Sequence, residues 1–325
     1  MKPSKSIQFF VAITALLLTG MQSSLATNVK ITPLGAHEGE FCHLDRALLL
    51  EDPDGTRILY DPGRTVAGPD DSRLGKIDAV LVSHMHGDHV GDKHIAGVSG
   101  GECAKPSFPV NALPGTNAVN IAFAKDAKII TGSEMPKFFA SKLKALGGNP
   151  KNSQLVRFGA SLKVGGVTVT TVPAVHSNGI SGSMIGGELG DMLNAAGLTA
   201  YAGPPTGYVL TFSNDLAVYL SGDTGITAEQ DTVVRQHYNA KLVVMNIGDT
   251  YTTGPSEAAW VVNNLIKPTS VIASHANQPS TKGGKVINGS RVDVFAKASE
   301  VPVHVPLSGR TMSFDSGGKC VDGCQ

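Results

Sequence analysis

Apolar runs, each cut off by a polar turn, recur along this chain and alternate with longer helical stretches. Arg57–Tyr60 reads as a brief strand ending at Asp61-Pro62-Gly63, a turn signal. Residues 77–83 (IDAVLVS) form a buried-strand run that stops at a His-rich segment. Residues 167–172 alternate and end at Pro173, and residues 216–220 end at Ser221-Gly222-Asp223. Leu242–Asn246 ends at Gly248-Asp249, and residues 271–273 end at Ser274-His275. Residues 135–146 and 255–266 read as helices. The second has Pro255 in its first turn, Glu257 near the positive helix end and Pro268 beyond its last turn. Its Val261, Val262, Leu265 and Ile266 fall on one face, which reads Trp260 as packing. The same event keeps returning: a strand ends, and a metal-capable side chain sits just beyond it. An α/β scaffold usually builds its site this way.

The first 26 residues break this pattern. Lys2 and Lys5 give a basic start, and residues 9–18 form an apolar run too short for a comfortable membrane span. Ser24-Leu25-Ala26 supplies small residues for cleavage. We expect residues 1–26 to be a secretory signal peptide and residues 27–325 to be one domain, periplasmic or extracellular. The alternative is a retained N-terminal anchor; no Cys follows the apolar run as a lipoprotein needs. No later stretch approaches roughly 18 uninterrupted apolar residues, so no stable membrane anchor is expected after leader removal.

At 325 residues, 41% hydrophobic and 17% charged, the chain has material for a sizeable core and is not wholly disordered. Basic and acidic residues number 27 each; without Lys2 and Lys5 the balance is 25 to 27, net −2. That balance argues against a nucleic-acid partner. Export would place Cys42, Cys103, Cys320 and Cys324 in an oxidising compartment. Of the three pairings, Cys42–Cys103 with Cys320–Cys324 is favoured, since the last two could close a small loop at the tail. Four unpaired thiols are the alternative. The cysteines lack the CxxC spacing of a zinc knuckle.

The sharpest chemical signal is His84-Met85-His86-Gly87-Asp88-His89, directly after the strand of residues 77–83. Imidazole and carboxylate suit zinc, iron or manganese. A turn can aim His84 and His86 at one point and Asp88 and His89 at a neighbouring one. A solvated His-rich loop accounts poorly for three imidazoles and a carboxylate so close together.

This HxHxDH pattern resembles the signature of the metallo-β-lactamase superfamily, and the resemblance runs over residues 30–277. It implies an α/β fold, a four-layer αβ/βα sandwich of two mixed sheets flanked by helices. It also implies three later ligands: His176 in VPAVHS, Asp223 in SGDTG and His275 in ASHAN. Asp61 matches the family's early aspartate, which supports the site from behind its ligands. The implied centre holds two divalent metal ions, zinc by default and manganese as the alternative. His84, His86 and His176 would hold one, Asp88, His89 and His275 the other, and Asp223 would bridge. IDAVLVSHMHGDHVGD, GGVTVTTVPAVHS and VYLSGDTG look like the metal-dependent hydrolase branch near the ascorbate-6-phosphate lactonases. Two departures stand out. Leu34-Gly35-Ala36-His37-Glu38-Gly39 replaces a compact Gly-His motif, and residues 97–115, with Cys103, are an insertion.

The implied chemistry is hydrolysis by a hydroxide bridging two cations, with Asp88 orienting the nucleophile and shuttling its proton. The expected substrate is a small neutral lactone, ester or amide. A β-lactamase or a hydrolytic dehalogenase are alternatives on the same site, and a non-catalytic metal- or ligand-binding protein is the alternative of another class. Neutral charge, export and the lack of room for an RNA-gripping domain disfavour a nuclease. His86, where oxygen-reducing relatives carry Glu, disfavours a redox di-iron centre. His37 and His43, near the first loop, are candidate substrate contacts; His94 is read as supporting, His237 and His304 as surface or structural.

Residues 178–207 contain eight glycines and no Lys, Arg or His. They directly follow His176, so they are expected beside the metals as an apolar flap. A short helix over residues 186–196 would present Leu189, Met192 and Leu193. Glu188 and Asp191 would repel a phosphate, so the flap favours neutral substrates; a glycine-rich loop without a binding role is the alternative.

Overall fold

The computed structural model describes Met1, residues 27–110 and residues 115–325. Residues 2–26, the body of the expected leader, and residues 111–114 of the insertion lie outside the described residues. Two mixed sheets, one of eight strands and one of seven, face each other. In the first, Val29–Pro33, Leu48–Glu51 and Arg57–Tyr60 pair antiparallel; Ala79–Leu81, Lys128–Thr131 and Ser153–Leu155 follow in parallel. In the second, Ser161–Val164, Val167–Pro173, Thr206–Thr211 and Ala217–Leu220 pair antiparallel. Leu242–Asn246, Ser270–Ser274 and Val303–His304 follow in parallel. The fold is the expected four-layer one.

The apolar runs look continuous because their strands are covered on both faces, and alternate residues serve different layers. Ile58, Tyr60, Ala79 and Leu81 point between the sheets, where they join Tyr208, Leu210 and Val218. Leu59, Val80, Val82 and Ile129 point the other way, onto Val119 of helix Asn117–Ala124 and Phe139 of helix Met135–Ala145. Helices Pro255–Val261 and Arg291–Ala298 cover the second sheet through Ala258, Val261, Val292 and Phe295. Each fully buried Leu, Ile or Val contributes about 1.5–3 kcal/mol, so a one-residue register slip would exchange whole layers.

Two expectations need adjusting. The strand expected over residues 77–83 is laddered only over Ala79–Leu81, because the Ser83 amide donates instead to Asp61 Oδ1, at 2.8 Å. Trp260 does not pack inside: Val261 and Val262 take the buried face and leave its ring 49% exposed. The helix of residues 255–266 is present, with a widened last stretch over Val262–Ile266.

Both favoured disulfides form, Cys42–Cys103 and Cys320–Cys324. The first ties the insertion to a small core of Ala36, Cys42 and Ile95. Among the described residues no helix is long and apolar enough to cross a membrane.

Candidate metal centre

The parallel strands end together at one edge of the sandwich, and their following loops converge there. Tyr208, buried between the sheets, donates its hydroxyl to the Val82 carbonyl at 2.7 Å, which fixes the strand end just before His84. Gly222 allows a second close approach. It sits at φ +59°, and a Cβ there would lie 3.1 Å from Ser83 Cβ and from the Thr206 carbonyl oxygen. Any side chain would push Asp223 away from the HxHxDH loop.

Asp223 is the meeting point. Its Oδ2 faces four imidazole Nε2 atoms: His275 at 3.1 Å, His89 at 3.4 Å, His176 at 3.7 Å and His84 at 3.8 Å. His86 adds its Nδ1, 3.3 Å from His176 Nε2. Single ligand atoms of His84, His86, His176 and Asp223 lie within 4.8 Å of one another, and so do those of Asp88, His89 and His275. All seven sequence-predicted ligands are therefore brought together, in two adjoining groups. Buried His84 Nε2 and Asp223 Oδ1 make no hydrogen bond. Buried polar atoms left unpaired this way normally have a partner, and a divalent cation fits this donor set.

Electrostatics divide the two groups. Burial holds His84 well below the usual imidazole range and lowers His86 and His176, with neighbouring imidazoles adding to the effect. These rings are neutral and offer lone pairs. Burial also opposes charge on His89, but Asp223, Asp61 and Asp88 outweigh it and raise the group to about 10. Burial works against the carboxylates, yet Arg46 and His89 hold Asp88, and His89 and His275 hold Asp223, well below the usual range.

Supporting contacts orient the ligands. Asp61 accepts from His89 Nδ1 at 2.8 Å and from Ser83 Oγ at 2.7 Å. This Nδ1 contact turns His89 Nε2 toward the centre, the usual service of a carboxylate behind a ligating histidine. Asp61 and His275 hold left-handed backbone at φ +39° and +52°, strain of the kind that collects at functional sites.

Several contributors escaped sequence reasoning. Arg46, 5% exposed, places Nη2 2.7 Å from Asp88 Oδ2 and 2.8 Å from Asn277 Oδ1. Asn178 Oδ1 accepts from the Met85 amide, and its Nδ2 donates to the Gly203 carbonyl, joining the HxHxDH loop to the far end of the flap. Arg46, next to Asp45 and just before Leu48-Leu49-Leu50, belongs to no motif that could have revealed it.

Of the expected substrate contacts, His37, Met192 and Leu193 line neither cavity beside His176. His37 sets its two ring nitrogens 2.8 Å and 3.0 Å from the carbonyl oxygens of Glu38 and Gly101, pinning the insertion. The flap contains the expected helix, Gly187–Ala196, with Met192 63% exposed. The cavity beside His176, about 580 Å³, is lined by Thr199 and Tyr201 of the flap, and not by Met192 or Leu193.

Comparison with known proteins agrees with this picture. Residues 56–276 match the model of the beta-lactamase superfamily domain. A metal-dependent hydrolase of Koribacter versatilis is 28% identical over 264 residues, covering 80% of this chain and 91% of that one. Another, of Cupriavidus taiwanensis, is 30% identical over 273 residues, covering 81% and 82%. Among solved structures, a metallo hydrolase of Ignicoccus hospitalis shares the fold with a TM-score of 0.56 at 22% identity, covering 89% of this chain and 99% of that one.

Proposed function

The chain belongs to the metallo-β-lactamase superfamily of metal-dependent hydrolases, and from that premise we propose that it is an exported binuclear enzyme opening a small neutral lactone, ester or amide. The observation that carries this reading is the single Asp223 oxygen facing four imidazoles, with a second carboxylate group alongside. His84, His86 and His176 would hold one divalent ion, and Asp88, His89 and His275 the other. Asp223 would serve both. Zinc is the expected metal, with manganese the alternative. When bound, such ions acidify water toward neutrality and polarise a carbonyl oxygen.

The chain's own residues supply the rest. Asp61 keeps His89 oriented through Nδ1, and Ser83 Oγ lies 3.0 Å from His84 Nδ1. Asp88 is placed to orient an incoming water and relay its proton. Its side chain is 22% exposed, the Asp223 side chain only 4%, so Asp88 alone of the two reaches incoming solvent. Arg46 at 2.7 Å restrains that carboxylate. No Lys or Arg lines either cavity flanking His176, which supports an uncharged substrate. The two disulfides and the absence, among the described residues, of a membrane-crossing helix are compatible with export.

The deciding experiment assays metal-loaded protein against lactones, esters, amides and β-lactams, with His86→Ala and chelated protein as controls. Turnover that vanishes in both controls is expected. Turnover that survives in either one refutes the metal mechanism, and binding of metal without turnover on any class favours a non-catalytic role.

A further inference from the structure

Two cavities flank His176, about 580 Å³ on the flap side and about 350 Å³ on the other, and both are lined by Val175 and His176. Each ends in an aromatic ring that the core does not use. Tyr201 stands 75% exposed in the first, and Tyr251 71% exposed in the second. Val175 and Ile226 add exposed apolar surface between them, 61% and 48%. Glu257 is the one carboxylate in either lining, and neither lining holds a Lys or Arg.

Neither tyrosine hangs on a free loop. Tyr201 pairs with Gly179, and its neighbour Ala202 donates its amide to the carbonyl of Asn178, whose side chain holds the Met85 amide between His84 and His86. Tyr251 sits in a loop fastened to Thr224, the residue after Asp223. The Thr253 hydroxyl and amide both donate to the Thr224 carbonyl, and the Thr224 hydroxyl accepts from the Val175 amide. Asp249 and Thr250 hold left-handed backbone at φ +53° and +56°. For a β-branched residue such as Thr250 this is an outlier that its surroundings must enforce. Both rings are thus positioned through hydrogen bonds to residues beside the proposed ligands, while their own surface is left to solvent.

We propose that Tyr201 and Tyr251 are the specificity-determining walls of the substrate site, and that they receive an uncharged apolar or aromatic substituent next to the scissile bond. This rests on the hydrolase reading above. The rings supply apolar area, a group lying against one face gains stacking, and Glu257 disfavours an anionic substituent.

The test uses two hydroxamates, which chelate the metals through the same head and differ in the group beside it. Isothermal titration of the metal-loaded protein compares acetohydroxamate with phenylacetohydroxamate. The phenyl compound should bind about tenfold tighter. The Tyr201→Ser, Tyr251→Ser double variant, at unchanged metal content, should lose that preference, and the corresponding Phe double variant should keep it. Equal affinity for both compounds in the unaltered protein overturns the inference, as does a preference that survives in the Ser variant. If neither hydroxamate binds the loaded protein better than the chelated one, the metal-centred reading fails, and this inference with it.

Discussion

The two halves of the candidate centre solve the same problem in opposite ways. His84, His86 and His176 are neutral imidazoles, of which His176 lines the two flanking cavities, with little behind them except Ser83 and Ser177. Asp88, His89 and His275 are enclosed by charge: Asp61 behind His89, Arg46 on Asp88, and a proton on His89 itself. The first half is ready to take a cation. The second already holds positive charge where a cation would sit, so an ion entering it must displace a proton. Burial alone does not explain the contrast, since His84 and His89 are both buried. Proximity to carboxylates does.

The residue common to both halves gives the largest effect. Asp223→Ala should cost at least one of two ions per chain by elemental analysis and abolish turnover, a loss of at least about 10³-fold in kcat/KM or about 4 kcal/mol of transition-state stabilisation. Two retained ions with near-normal turnover would remove Asp223 from both halves.

Single substitutions then separate the halves. His86→Ala should abolish activity with little loss of stability, because His86 is half-buried on a loop beyond the core strands. His89→Ala should abolish activity and also destabilise the metal-free protein by about 1–3 kcal/mol, since it removes one of the three donors to the buried Asp61 carboxylate and leaves only the Ser83 amide and hydroxyl. Arg46→Met breaks a buried ion pair and should cost the metal-free protein about 3 kcal/mol, and less once metal compensates Asp88. Equal denaturation midpoints for His86→Ala and His89→Ala would erase the contrast.

The proton on His89 adds a pH signature. Its folded value, about 10, lies above the ordinary value of 6.5. Its contribution to stability is therefore fully present below about pH 6.5 and is lost as pH rises through 10. The melting temperature of the chelated protein should fall over that window, and His89→Gln should flatten the fall. A profile that stays level from pH 6.5 to 10 would falsify the assignment.

How much of this was legible in the sequence follows from how far apart the partners lie. His84, His86, Asp88 and His89 announce themselves because one turn carries them all. His176, Asp223 and His275 were readable through the family resemblance, whose order of ligands they follow in the loops beyond three strand runs. Arg46 was not, since only the meeting of two distant loops places it on Asp88. Tyr251 was hidden for a related reason: its loop looks like an ordinary turn until Asp249 and Thr250 are found strained and Thr253 bound to Thr224. The disulfides were favoured correctly with few cysteines to combine, whereas helix periodicity alone misjudged Trp260, whose neighbours Val261 and Val262 claimed the interior.

The smallest effect belongs to the outer face of the flap, and it sharpens the difference between the ring that lines the cavity and the helix that carries apolar surface elsewhere. Met192 and Leu193 stand on helix Gly187–Ala196, of which Gly190 is the one buried residue. Replacing both with Ser removes apolar area that meets mainly water. If the flap closes over a bound substrate, that area becomes contact, and KM should rise while metal content is unchanged. The rise should be small, about twofold, because exposed side chains away from a packed contact change free energies by about 0.5 kcal/mol or less. Steady-state kinetics on one good substrate, set beside Tyr201→Ser, checks the order of the two effects. A larger KM change from Met192 and Leu193 than from Tyr201 would make the helix, and not the cavity wall, the part that meets the substrate.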